Sequence, residues 1–150
     1  EKAAAVAGRL EPMDASVDVV TNLDAAVLEA DIISTATLAT EPLIRGELLR
    51  AGQHLDLVGA FTPEMREADD DCVTRARLYI DTEEAIKKTG EICDPITRGV
   101  ISEKDIIADM FAVVRGEAQG RGGRDEITLF KSAGSALLDL ATAALAYERA

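Results

Sequence analysis

The sequence predicts an α/β fold built on a parallel β-sheet, and three observations support this prediction. Short apolar runs alternate with helical segments from the start of the chain through Lys88. The runs are continuously apolar, as in strands that are covered on both faces. Hydroxyl residues and glycine gather where two of these runs end, and parallel sheets bind ligands beyond the carboxyl ends of their strands. Such alternation implies parallel strand pairing with helices on both faces of the sheet.

The first four strands and their helices can be placed from the apolar runs and the capping residues. The predicted strands are Val17–Val20, Asp31–Thr37, His54–Val58 and Leu78–Asp81. The predicted helices are 1–10, 23–30 (capped by Asn22), 45–51 (closed by Gly52), 67–77 and a helix from Thr82, as its cap, through Lys88. Asp69, Asp70 and Asp71 fall near the first turn of the fourth helix, where the helix dipole stabilises negative charge. We therefore interpret this acidic trio as structural and not as a metal site.

The pattern changes after Gly90. The segment around Pro95 is predicted to be irregular, because proline cannot continue a helix. Ser102 and Asp105 form a capping-box pattern that is predicted to open a helix over 103–115. The glycine-rich segment 116–124 lacks the Lys-Ser/Thr ending of a phosphate loop and indicates a surface turn. An alanine-rich helix then runs to Arg149.

Composition limits the classes of function. The 150 residues suit one domain, and 47% of them are hydrophobic. The net charge of −12 argues against binding to nucleic acids or to anionic membranes, and no apolar run approaches the roughly 20 residues that span a bilayer. Cys72 and Cys93 lack metal-ligand or CxxC spacing, which is typical of a reduced cytoplasmic protein. His54 is the single histidine, so a histidine-based metal site is not expected.

Two strand ends carry the candidate site residues. The first is Ser34-Thr35-Ala36-Thr37, and the second is Gly59-Ala60-Phe61-Thr62. A third candidate is Ser132-Ala133-Gly134, which the sequence places at the start of the last helix. Free N–H groups at a helix start can receive an anion or a carbonyl oxygen.

Three segments together resemble the ornithine cyclodeaminase/mu-crystallin family. They are DEITLFKSAGSALLDLATAALAYERA, VGAFTPEMREADD and ADIISTAT, and the likeness extends over essentially the whole chain. The resemblance implies a Rossmann-type sheet that lacks its first strands here, followed by C-terminal helices that return to a second domain. Residues 1–100 would be the C-terminal portion of an NAD(P)-binding Rossmann domain. Residues 101–150 would contribute to the domain that binds substrate and forms a dimer.

The resemblance also assigns roles to the candidate residues. The Ser34–Thr37 strand end would lie along the ribose and nicotinamide side of the cofactor, which can be NAD or NADP. Val58 and Gly59 would approach the nicotinamide ring, where the missing side chain of glycine allows close contact. Ser132, Ala133 and Gly134 would close over the ring. The family's phosphate loop and its substrate-binding Arg and Lys are expected before residue 1, so this chain is expected to be a fragment without a complete active site.

Phe61 separates the activities of the family. Members with cyclodeaminase activity carry an acid/base aspartate two residues before the loop proline, and phenylalanine cannot transfer a proton. The substitution favours reduction of a cyclic ketimine carboxylate, such as 1-pyrroline-2-carboxylate to proline, by an NAD(P)H-dependent homodimer. The alternatives are ornithine cyclodeaminase or an amino-acid dehydrogenase of the same family, and a non-catalytic NADP-binding protein. Thr62 is a candidate for a substrate contact.

Overall fold

Five parallel strands form a single sheet within the residues that the structure describes. The structure is a computed structural model that describes residues 2–10 and 16–150. The strands are β1 (Ile32–Thr35), β2 (His54–Leu57), β3 (Arg77–Ile80), β4 (Ile106–Asp109) and β5 (Thr128–Lys131). Their spatial order is β1-β2-β5-β3-β4, and all four pairings are parallel. The predicted α/β class with a parallel sheet is confirmed.

Seven helices and two short 3₁₀ turns accompany the strands in the described part of the chain. The helices are α1 (Lys2–Leu10), α2 (Leu23–Glu29), α3 (Asp70–Arg75), α4 (Glu84–Lys88), α5 (Gly90–Thr97), α6 (Met110–Val114) and α7 (Ala136–Arg149). The 3₁₀ turns are Gly46–Leu48 and Glu103–Asp105. Asn22 caps α2 as predicted, because its side chain accepts a hydrogen bond from the Ala25 N–H. Within the described residues, no helix combines the length and the apolarity that a membrane crossing requires.

One face of the sheet carries the hydrophobic core. Leu55 and Leu57 of β2 and Leu129 of the central strand β5 are completely buried. Val27 of α2, together with Cys72 and Val73 of α3, packs against this face. The free thiol of Cys72 has a raised pKa because burial disfavours the thiolate. Alternate residues of each strand point to opposite faces, so these leucines fix which face is the interior.

The opposite face is covered only in part. Met110 and Val113 of α6, with Arg121, lie over the β5–β3 side and line a cavity of about 270 Å³. On the β1–β2 side, by contrast, Ser34 is exposed and Asp56 is half-buried. Helices therefore pack on both faces, as predicted, but they cover the two faces unequally.

Two predictions in the first half of the chain are wrong. Val17–Val20 is not a strand, because it pairs with no neighbour among the described residues and three of its valines are exposed. An apolar run becomes a strand only where another strand completes its hydrogen bonds. The predicted helix over 45–51 is only the 3₁₀ turn Gly46–Leu48, which ends at Leu49.

The helices on either side of β3 are shorter than predicted. α3 begins at Asp70 and not at Glu67, because Asp69 is its cap and its side chain accepts from the Cys72 N–H. The acidic trio thus lies at a helix start, as predicted. Thr82 does not cap α4, because the capping position belongs to Glu83, which makes no side-chain capping bond.

The segment around Pro95 is helical, so the prediction of an irregular segment is wrong. α5 runs through Pro95, and only the one bond that would reach the Glu91 carbonyl is lost. The carbonyl of Pro95 accepts the N–H of Val100 at the end of the helix. A short helix with one missing bond is tolerated here because Ile92 and Pro95 are both buried.

The predicted helix over 103–115 is correct only in its last part, where α6 covers Met110–Val114, and is wrong before that. The capping box between Ser102 and Asp105 forms as predicted, but it opens only a 3₁₀ turn. The next residues form β4, which pairs with β3 from Leu78 to Ile80. A short apolar run rich in isoleucine suits either structure, and the available partner strand decides it.

Residues 101–150 are therefore not purely helical. β4 and β5 both lie in this segment, and β5 is the centre of the sheet, between β2 and β3. α7 forms the last helix as predicted, and none of its residues is buried. Its assignment to a second domain stays a prediction.

An ionic cluster joins α3 to α5 and makes stability depend on pH. Arg98 binds both Asp70 (2.6 Å) and Asp94 (2.9 Å), and its hydrogen bonds lower the pKa of Asp70 from 3.8 to about 2. A carboxylate with a depressed pKa stabilises the fold above its ordinary pKa and loses that contribution as pH falls towards the folded value.

We expect Asp70→Asn to lower the urea-denaturation midpoint at pH 7, because the asparagine has no charge to pair with Arg98. The gap to the wild type should close as pH falls from about 4 to about 2. Glu117→Gln is the matched control, since the Arg115–Glu117 pair is more than half exposed on both sides and should contribute less. An Asp70→Asn deficit that is independent of pH would contradict this account.

Candidate functional site

The sheet brings the three candidate segments to one edge. β1, β2 and β5 are neighbours, and their last residues Thr35, Leu57 and Lys131 are in register. The Val58 N–H donates to the Thr35 carbonyl (2.9 Å), and the Ser132 N–H donates to the Leu57 carbonyl (3.1 Å). The segments after the three strands therefore lie side by side at the carboxyl edge, which is where parallel sheets bind ligands.

The side chains of the first segment point in different directions. Ser34 is exposed and donates its hydroxyl to Asp56 (2.9 Å) on the open face of the sheet. Thr35 is buried on the core face, and its hydroxyl has no hydrogen-bond partner among the described residues. Ala36 is exposed and Thr37 is half-buried. A ligand at this edge could therefore contact Ala36 and Thr37 more easily than Thr35.

The second segment owes its glycine to protein packing. A Cβ atom built at Gly59 would collide with the backbone of Thr37 and with the Glu67 carboxylate. The space beside Gly59, where the nicotinamide ring is expected, is thus occupied by Thr37 and Glu67. Val58, with 44% of its surface exposed, is the residue of this pair that presents a side chain to solvent.

The third segment is not a helix start, which corrects the sequence analysis. α7 begins after Ser135, whose side chain caps it, and Gly134 lies in the preceding turn with φ of +80°. The N–H groups of Ala133 and Gly134 both donate to Asp81 (2.8 Å each), and the Ser132 hydroxyl donates to the same oxygen (3.0 Å). These N–H groups are therefore not free to receive an anion.

Phe61 and Thr62 lie in the loop that follows β2. The Phe61 side chain is 53% exposed. The Thr62 carbonyl accepts the N–H groups of Met65 (3.2 Å) and Gly90 (3.1 Å), and this fixes the loop against the start of α5. The Thr62 side chain is half-buried, and its backbone carbonyl holds the turn.

Four buried charged residues lie behind the edge, and the sequence alone does not identify them as part of the site. Glu67, Glu91 and Lys131 are fully buried, and Asp81 is nearly so. Burial lowers the pKa of Lys131 although Glu91 and Glu67 oppose this shift. Two of them could be recognised by their place in the sequence, because Asp81 and Lys131 come directly at the end of apolar runs. Among the described residues no group of His, Cys, Asp and Glu forms a metal-binding cluster, and His54, at the start of β2, contacts the Thr128 hydroxyl.

Replacing Asp81 by alanine should destabilise the protein by about 3 kcal/mol, because three partly buried donors in 132–134 lose their buried, charged acceptor. The measurement is the free energy of unfolding in urea. Asp56→Ala is the control, since among the described residues Asp56 accepts only the exposed Ser34 hydroxyl, and it should cost less than about 1 kcal/mol. Equal losses in the two variants would contradict the anchoring role of Asp81.

Known proteins are similar to this chain in sequence and in fold. Delta(1)-pyrroline-2-carboxylate reductase of Paracoccus denitrificans is 44% identical over 132 residues, which are 87% of this chain and 42% of the relative. A solved structure of Thermococcus litoralis Delta(1)-pyrroline-2-carboxylate reductase in complex with NADH and L-proline superposes with a TM-score of 0.92 at 35% identity. It matches 97% of this chain and 46% of that chain.

An archaeal alanine dehydrogenase dimer with bound NAD is also similar, with a TM-score of 0.88 at 30% identity over 97% of this chain and 45% of that chain. This chain thus spans less than half the length of each of these three proteins. The model of the ornithine cyclodeaminase/mu-crystallin family matches residues 1–150. The chain belongs to the ornithine cyclodeaminase/mu-crystallin family.

Proposed function

We propose that the full-length protein reduces a cyclic ketimine carboxylate, such as 1-pyrroline-2-carboxylate, with NADH or NADPH. The observation that carries this proposal is the meeting of three segments on the adjacent ends of β1, β2 and β5. These are the segments for which the family resemblance implies contact with the nicotinamide side of the cofactor. One narrow edge therefore holds every cofactor-binding residue that we propose: Ser34, Thr35, Ala36, Thr37, Val58, Gly59, Ser132, Ala133 and Gly134.

The edge suits a flat, partly apolar ring. The exposed side chains of Val58 and Phe61 offer apolar surface, and a Cβ built at Gly134 meets no atom within 4 Å. A bound nicotinamide would supply the hydride. The residues of this chain would orient the ring and exclude water, and the buried Asp81 would hold the 132–134 turn in place while they do so.

Phe61 favours reduction over deamination. Its side chain has no ionisable group, so it cannot act as an acid or base at the position where deaminating members of the family carry aspartate. A protonated imine needs only a hydride at its carbon, and an adjacent carboxylate is then dispensable. The names of the Paracoccus and Thermococcus relatives support the same reaction. Ornithine cyclodeaminase activity remains the alternative, and Thr62 remains a candidate substrate contact.

We further propose a homodimer in the cytoplasm. The archaeal alanine dehydrogenase to which the chain is similar is a dimer. The exposed leucines of α7 give this helix an apolar surface that fits a role in a second, dimer-forming domain. The free thiols of Cys72 and Cys93 are consistent with a reducing compartment.

The direct test is the reaction of the purified full-length protein. We expect oxidation of NADH or NADPH when 1-pyrroline-2-carboxylate is added, with proline as the product, measured by absorbance at the nicotinamide band and by amino-acid analysis. Release of ammonia and proline from ornithine, without oxidation of NADPH by the imine, would contradict the proposal. Tight NADP binding without turnover on any imine or amino acid would favour the non-catalytic alternative.

Phe61→Leu should retain the reductase activity, with kcat within about threefold of the wild type, since the proposed role of Phe61 is apolar contact and not proton transfer. Leu38→Ala, at another exposed apolar position beside the edge, is the control for nonspecific loss of surface. A fall of kcat by about a hundredfold in Phe61→Leu alone would show that the aromatic ring has a specific role in the chemical step.

A further inference from the structure

A single carboxylate joins the turn after β1 to the turn after β2. One oxygen of Glu67 accepts the Thr37 N–H (2.6 Å), and the other accepts the Gly59 N–H (2.7 Å). Glu67 is completely buried. Because a Cβ at Gly59 would collide with Thr37 and with this carboxylate, glycine is required for the two turns to approach so closely. The spacing of the turns is thus set through the Glu67 side chain.

A buried ion pair holds Glu67 from behind. The Glu67 N–H donates to one oxygen of Glu91. The other oxygen of Glu91 lies 3.6 Å from the ammonium of Lys131, which also donates to the Leu57 carbonyl (3.0 Å). Glu91 and Lys131 are as completely buried as Glu67. The Glu91 oxygen that faces Lys131 makes no hydrogen bond among the described residues and is compensated by the ion pair. The hydrogen bond from the Glu67 N–H and this nearby charge together restrain the position of Glu67.

Glu67 is ionised at neutral pH and has no proton to transfer. Burial opposes its ionisation, but hydrogen bonds from Thr37 and Gly59 outweigh burial and place the pKa of Glu67 below its usual value. Both carboxylate oxygens are already occupied by backbone N–H groups of the protein. A role as acid, base or direct ligand of substrate is therefore excluded by its contacts, whereas a role through Thr37 and Gly59 is not.

We propose that Glu67 is a positioning residue, which sets the distance between the Thr37 and Gly59 turns and thereby shapes the edge that receives the cofactor. This inference rests on the proposed function, because the two turns matter for catalysis only if the cofactor binds there. Glu91 and Lys131 support this role indirectly, because they hold Glu67 in its position. None of the three touches the reacting atoms.

The test is Glu67→Gln in the full-length protein. The amide keeps one acceptor oxygen but points an NH₂ group at the second backbone N–H, so one turn is released. We expect the Kd and KM for NADH or NADPH to rise about tenfold, with kcat changed less than about threefold. We also expect the amide of Thr37 or Gly59 to lose protection from hydrogen exchange.

Gln53→Met is the matched control. Gln53 is also buried and also joins separate segments, since its amide donates to the Val27 and Ala30 carbonyls (2.6 Å each), but it precedes β2 at the opposite edge of the sheet. The control should lower the free energy of unfolding and leave cofactor affinity within about twofold. Equal weakening of cofactor binding in both variants would overturn the inference, because general destabilisation would then explain it.

The remaining outcomes separate the inference from the proposed function. If the wild type binds cofactor and Glu67→Gln binds it equally well, the inference alone is overturned. If the wild type binds neither NADH nor NADPH, the proposed function fails and the inference with it. If Glu67→Gln does not fold, native-state hydrogen exchange of the wild type decides. Thr37 and Gly59 amides that open together, with equal free energies, support one shared anchor, whereas unequal opening overturns it.

Discussion

The structure depends on burying Lys131 in the middle of the sheet. β5 threads between β2 and β3, and its last side chain points into the core, where an unpaired ammonium would be very costly. The Leu57 carbonyl and the carboxylate of Glu91 meet this requirement. Glu91 also accepts a hydrogen bond from the N–H of Glu67, which lies in the loop after β2. The ion pair of Lys131 is therefore linked to this loop through Glu91. The core and the candidate site are therefore connected by polar contacts, and not by apolar packing alone.

Buried carboxylates also anchor the three turns of the carboxyl edge. Asp81, at the end of β3, accepts three donors from the 132–134 turn, and Glu67 accepts one from each of the other two turns. Both anchors are buried carboxylates that bind backbone N–H groups, and hydrogen bonds to ionised acceptors are stronger than those between neutral groups. An edge held in this way can present a ligand surface without reorganising, which is the condition for precise orientation of a cofactor.

Much of the fold could be predicted from local sequence, and the failures share one cause. Asn22 and the Ser102–Asp105 box were found because capping uses contacts within four residues. Val17–Val20 and the β4 residues Ile106–Asp109 differ from their predictions because a short apolar run becomes strand or helix according to the partner it meets, and a single sequence does not contain that information. The position of β5 at the centre of the sheet is likewise a long-range property. At Pro95, the burial of α5 outweighs the local tendency of proline to end a helix.

The site shows the same division between local and long-range information. The strand-end segments were recognisable, but their neighbours gave them a different physical meaning. Gly59 was expected to make room for a ring, yet it makes room for Thr37 and Glu67. The 132–134 turn was expected to offer free N–H groups, yet Asp81 already takes two of them. The same segments can thus stabilise the fold and contact a ligand. Buried carboxylates fix their backbone, while Val58 and Ala36 stay exposed at the edge. A glycine at a strand end is therefore evidence of close packing first, and of a ligand only when the surface beyond it is open.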